Sequence, residues 1–232
     1  GPFTGLPVRV QSQGEGPLES LVLPVRLSGE GLEASGQVKV AGPQATLEGR
    51  YREQQFALYY GEGLHAELKG PYLTGVARLE GGRPSGLLAV NLPVPGGRLV
   101  GNADLDRGAV RLAGREGWSG RLELDLLGEY SANPAVRLEA DLEGPFGLEA
   151  NLQTRPAERS VQGEARLSLP EWGAVQLAGQ GTQVQVQGLE ALAPLRGFLD
   201  LENLSARWSY SGELPRGLGE LEATGTYPGQ WL

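Results

Sequence analysis

Arg121-Leu122-Glu123-Leu124-Asp125-Leu126 sets a leucine at every second position and a charge beside each one. Successive side chains of a strand point to opposite faces, so this stretch writes one apolar face and one polar face. The same alternation follows in Val136, Leu138, Ala140 and Leu142, set against Arg137, Glu139, Asp141 and Glu143. After the break Glu143-Gly144-Pro145 it resumes with Phe146, Leu148, Ala150 and Leu152. Two alternating runs joined by a short Gly/Pro turn predict a hairpin.

Outward from this hairpin the pattern recurs along most of the chain. Leu21, Leu23, Val25 and Leu27 share a face, as do Ala45, Leu47 and Tyr51. Phe56, Leu58 and Tyr60 form another set, followed by Leu64, Ala66 and Leu68, then Leu88, Val90, Leu92 and Val94, then Leu99, Ala103 and Leu105. Later sets are Ala165, Leu167 and Leu169; Val184 and Val186 among Gln183, Gln185 and Gln187; Leu204, Ala206, Trp208 and Tyr210; and Leu221, Ala223 and Tyr227. Gly29-Glu30-Gly31, Gly61-Glu62-Gly63, Gly70-Pro71, Gly81-Gly82 and Pro95-Gly96-Gly97 punctuate them. The spacing predicts about eighteen short antiparallel strands, an all-β chain. Leu189, Leu192 and Leu195 recur at three-residue spacing and predict at most a short helix, interrupted by Pro194. No linker or charge block divides the sequence, which predicts a single β-rich domain over 1–232.

Composition narrows the function. Of 232 residues 40% are hydrophobic, enough for a real core, while Gly 37 and Pro 16 fit frequent turns without a collagen period. The absence of Cys removes disulfides, thiolate nucleophiles and cysteine metal sites. A net charge of −8 argues against nucleic acid as a partner and against a polybasic grip on anionic headgroups. No stretch reaches the roughly 20 apolar residues of a membrane helix. The opening Gly1-Pro2, without an initiator Met, reads as a protease scar on an excised piece of a longer envelope protein. A membrane anchor would then lie outside it.

Eighteen strands at about 4.8 Å each would give a sheet near 85 Å wide, which must curl, split or close. Closed in a membrane it would be a barrel, but barrels carry aromatic girdles, and aromatic residues here are 6%. Folded onto itself it would be a β-sandwich. Curled with the apolar face inward it would be an elongated trough. A monotonous Leu/Val/Ala face with few large rings suits contact with fluid acyl chains and leans toward the trough; the alternative is a β-sandwich or β-solenoid serving as an envelope adhesin or scaffold that binds through loops such as Gly61–Gly63 or Arg155–Arg159. Burying a sixteen-carbon chain at about 0.8 kcal/mol per CH₂ gains at most roughly 12 kcal/mol.

No catalytic constellation competes with this reading. His65, the only histidine, is in phase with Glu67 and Lys69 on the polar face. Asn102, Asp104 and Asp106 begin like a calcium loop, yet the positions needing Gly and Glu hold Arg107 and Ala113. Gly117-Trp118-Ser119-Gly120 and Pro84-Ser85-Gly86 lack the nucleophile-elbow spacing, and no GxGxxG lies between a strand and a helix. No cofactor, metal or catalytic residue is expected. Asn203-Leu204-Ser205 matches a glycosylation sequon that arises readily by chance. By phase, the expected face-lining residues are Leu47, Leu58, Leu68, Leu122, Leu124, Leu126, Val136, Leu138, Ala140, Leu142, Phe146, Leu148, Ala150, Leu152, Leu167, Val184, Val186, Leu204 and Trp208.

Glycine-ended amphipathic strands such as Ala45-Thr46-Leu47-Glu48-Gly49-Arg50-Tyr51 resemble those of the translocation-and-assembly-module TamB family and its AsmA-like relatives. So do Leu192-Ala193-Pro194-Leu195-Arg196-Gly197 before Phe198-Leu199-Asp200-Leu201, and the closing Leu221-Glu222-Ala223-Thr224-Gly225-Thr226-Tyr227. The resemblance implies a taco-like β-groove in the periplasm, phospholipid transport or outer-membrane assembly, and partnership with a BamA-type barrel. It carries over no catalytic residue.

Overall fold

The computed structural model describes residues 8–228. Gly1, Pro2 and Trp231 lie outside them. Among the described residues nineteen strands form an antiparallel sheet that is not closed into a barrel. The chain divides into two compact units, residues 1–92 with 102–106, and residues 93–101 with 107–232.

The first unit carries β1 (Arg9–Ser12), β2 (Val22–Gly29), β3 (Leu32–Lys39), β4 (Gln44–Tyr51), β5 (Gln54–Tyr60), β6 (Leu64–Lys69) and β7 (Leu73–Glu80). Each pairs with the next in the chain, and β7 pairs with β8 (Arg83–Val94). Residues of β8 and of β9 (Gly97–Asp104) are shared between the two units.

The second unit continues the meander through β10 (Ala109–Glu116), β11 (Ser119–Leu127), β12 (Ala135–Glu143), β13 (Gly147–Arg155) and β14 (Ser160–Leu169). It ends with β15 (Gly173–Gly181), β16 (Gln183–Leu189), β17 (Leu195–Asp200), β18 (Ser205–Glu213) and β19 (Glu220–Pro228). From β10 to β19 every ladder joins chain neighbours. The predicted hairpin is β12–β13, with Leu138 opposite Leu152 and Leu142 opposite Leu148. The stretch at Leu189 holds one 3-10 turn, Glu190–Leu192, after which β17 begins. Pro194, which has no N–H to donate, stands where that turn stops.

Turns are short because the glycines allow it. Glu80 pairs with Arg83 across a two-residue loop, Gly81-Gly82, whose φ angles are 55° and 77°. Both central residues of a type I′ hairpin turn need positive φ, and glycine takes it without steric cost. Within β14, Gly163 has φ 120°, and a Cβ there would fall inside the contact radius of the Asn151 carbonyl oxygen on β13. Glycine kinks of this kind are how sheets acquire local curvature.

Burial is shallow. Leu142 is 3% exposed and Leu112 5%, yet among the described residues no large side chain is fully enclosed. The accessible surface is 15457 Å².

Candidate functional site

Residues directly opposite each other in an antiparallel ladder lie on the same face, so the registers show which side chains stand together. In the second unit one row runs Leu112, Leu122, Ala140, Ala150, Ala165, Leu177, Val186, Gly197, Trp208, Gly225. Beside it runs Val110, Leu124, Leu138, Leu152, Gly163, Gly179, Val184, Leu199, Ala206, Tyr227. A third row holds Leu142, Leu148, Leu167, Val175 and Gly188. A fourth begins with Leu126 and Val136. No charged residue interrupts these rows. Ten strands at about 4.8 Å make an apolar face roughly 43 Å along its contour.

The first unit repeats the arrangement. Val25, Gly36, Leu47, Leu58, Ala66, Ala77 and Gly86 stand in one row, and Leu27, Ala34, Gly49, Phe56, Leu68, Gly75 and Leu88 in the next. Most members of all these rows are half-buried: Leu138, Leu148 and Leu152 are neither enclosed like core residues nor open like surface ones.

Two expected positions differ. Leu204 does not line the face. It sits in the β17–β18 turn with φ 51° and is 57% exposed. The Asp200 carboxylate accepts the Glu202 and Asn203 backbone N–H groups at 2.9 and 3.2 Å, so a local turn wins over continued alternation. Phe146 lies in the turn before β13 rather than in the strand, and its ring meets Trp118 edge-to-face with centroids 4.9 Å apart. Trp208 keeps its row but is 44% exposed, its indole lying over Gly225.

The Trp118 cluster gave no alternation signal, because it is built from turns. Trp118 is 7% exposed, and its Nε1–H donates to the Pro95 carbonyl at 2.7 Å. Gly144 leaves room for the ring: a Cβ there would collide with it.

The opposite face is polar. Arg111, Glu123, Glu139, Asn151 and Glu164 form one row, and Asp125, Arg137, Gln153 and Gln162 another. Arg111 donates to Asp125 Oδ1 at 2.6 Å, with Arg137 3.6 Å from the other oxygen. The Arg111 hydrogen bond, aided by the charges of Arg111 and Arg137, holds the Asp125 carboxyl below the ordinary aspartate value. Phe198 is an apolar intrusion on this face; the Arg207 guanidinium covers its ring, 5.5 Å from its centroid. In the first unit His65 stands on the polar face, accepting a hydrogen bond from Arg78 at Nδ1 (3.2 Å) and lying 3.5 Å from Glu67.

These groups do not converge on a reacting centre. A depression of about 760 Å³ in the first unit is lined by Glu48, Ala57, Glu67, Lys69 and Val76 among others. Among the described residues no cluster of three His, Cys, Asp or Glu can hold a metal ion. Asp106 instead accepts the Gly86 N–H at 3.0 Å, a structural role. Arg155–Arg159 and Gly61–Gly63, the loops a scaffold would use, carry no aromatic anchor. A scan against protein-family models, a search of curated proteins and a search of solved structures each find no match for the chain.

Proposed function

We propose that this protein is a non-catalytic lipid carrier whose apolar face shields acyl chains, as a segment of a conduit in the cell envelope. One observation carries the proposal. The apolar rows run without a charge across ten strands of the second unit, and most of their leucines, Leu112 and Leu142 apart, are only half-buried. In a finished sandwich the same leucines would be enclosed by a second layer. A half-buried apolar face gains free energy from whatever apolar guest covers it, at about 25 cal/mol per Å² removed from water.

The guest this face fits is fluid and elongated. Hydrophobic contact is non-directional, and rows repeating Leu, Ala and Val at equal spacing offer an acyl chain many near-equivalent positions along the ladder. Glycine kinks such as Gly163 supply curvature that would wrap the face around such a chain as a trough. The polar face, with its ion-paired arginines and carboxylates, meets water. A periplasmic setting and a BamA-type barrel as partner follow from the TamB/AsmA resemblance and belong to the same proposal.

The test is direct. Lipid extraction and mass spectrometry of the purified protein should recover acyl lipids, and a fluorescent fatty acid should be taken up. Leu138→Asp and Leu148→Asp should each weaken uptake at least about tenfold, because an unpaired carboxylate would sit against the guest. Protein free of lipid that takes up no fatty acid would leave the scaffold reading in its place.

A further inference from the structure

The sheet is open, and its two edge strands differ. Among the described residues β1 has four residues, begins with Arg9 and pairs with β2 alone. β19 has nine, and among the described residues it pairs with β18 alone, in a ladder without a bulge. Natural sheets blunt their edges with short strands, Lys, Pro or a bulge. The shortness of β1 blunts that edge. β19 carries no Lys or Arg, and its one proline is its last residue.

The backbone groups that β19 turns away from β18 can be named. The Leu214 N–H donates to the Gly219 carbonyl at 2.7 Å, and Glu213 stands opposite Glu220 in the next pair. Hydrogen-bonded and non-hydrogen-bonded pairs alternate along an antiparallel ladder, so Leu221, Ala223, Gly225 and Tyr227 turn their N–H and C=O groups toward β18. Glu220, Glu222, Thr224 and Thr226 turn theirs outward. A row of backbone donors and acceptors at this spacing is matched along its length by another extended strand.

We infer that a second copy of this chain supplies that strand, β19 pairing antiparallel with β19 of the copy about a two-fold axis at Thr224. Of the antiparallel self-pairings, this register engages all nine residues. Thr224 meets Thr224 and Glu222 meets Thr226, each pair joining outward-facing backbone groups of both copies. No carboxylate faces a carboxylate, whereas an axis at Glu222 would set that side chain against itself. On the apolar face Ala223 meets Gly225, and Leu221 meets Tyr227 at the closer, non-hydrogen-bonded spacing. Trp208 and Leu221 are 44% and 38% exposed in the single copy, and the Trp208 indole lies over Gly225. The pairing brings Ala223 of the copy beside that indole and Tyr227 of the copy beside Leu221. A two-fold axis normal to the sheet keeps both apolar faces on one side, so the apolar rows of one copy continue into those of the other.

The inference rests on the edge and not on acyl binding, so sedimentation and fatty-acid uptake tell the two apart. The full chain should sediment as a dimer at high concentration and dissociate on dilution. Thr224→Pro removes the two central N–H donors without touching the β18 ladder, and should weaken association at least about tenfold with the melting temperature of the monomer kept. Thr224→Lys, which sets two ammonium groups opposite each other, should weaken it at least about threefold and carries the test if the proline variant does not fold. The chain has no cysteine, so single substitutions report the register. Thr224→Cys should form a disulfide-linked dimer under mild oxidation, its Cα atoms about 5.5 Å apart, while Thr226→Cys, facing Glu222, should not. A chain monomeric at every concentration would overturn the inference, as would growth beyond a dimer. So would a dimer indifferent to the folded Thr224 variants, or equal crosslinking at the two cysteine positions.

Discussion

Individual residues matter here chiefly through which face they occupy. Leu138 and Glu139 are neighbours in sequence, yet one belongs to an apolar row and the other to the charged row with Glu123 and Asn151. A charge at Leu138 should therefore abolish acyl binding, while Glu139→Gln should leave it intact; fatty-acid titration of both variants checks this. Asp125 makes a different prediction. Its folded pKa lies below the ordinary 3.8 because Arg111 donates to its charged form. A depressed carboxylate contributes stability above its unfolded pKa and loses it as pH falls through the folded value. The melting temperature should thus drop in acid below about pH 4, and Asp125→Asn should flatten that part of the profile. An unchanged acid limb would show that the pair contributes nothing.

At the scale of strands and turns, the alternation that predicts β12 and β13 also fixes their register, because any one-residue slip would turn the leucines into water. This is why the ladder and its two faces could be read from residues such as Leu122 and Ala140. The same signal is silent in turns. It placed Leu204 on the face because it cannot see the Asp200 side chain ending β17 four residues earlier. It also passed over Trp118, whose partners Pro95 and Phe146 sit in other turns, far away in sequence. Glycine divides the same way: alternation treats Gly163 as a gap, while the structure gives it φ 120° against the β13 backbone. Gly163→Ala should cost roughly 1–3 kcal/mol in chemical denaturation, more than Gly128→Ala, which has positive φ but open space around it. Equal losses would remove the kink from the account.

For the molecule as a whole, the central quantity is apolar surface left half-covered. Most leucines of the apolar rows are neither enclosed nor open, so apolar contact remains to be made there. A protein with this surface should gain stability from an apolar guest in proportion to RT ln(1 + [L]/Kd), so a saturating fatty acid at about 100 times Kd should add about 2.7 kcal/mol. A scan of photo-crosslinking residues along β13, with a tritiated phospholipid in the envelope, tests the claim most directly. The account predicts labelling at Leu148, Ala150 and Leu152 and none at Glu149, Asn151 and Gln153. Labelling without that alternation, or none at either set, would contradict it.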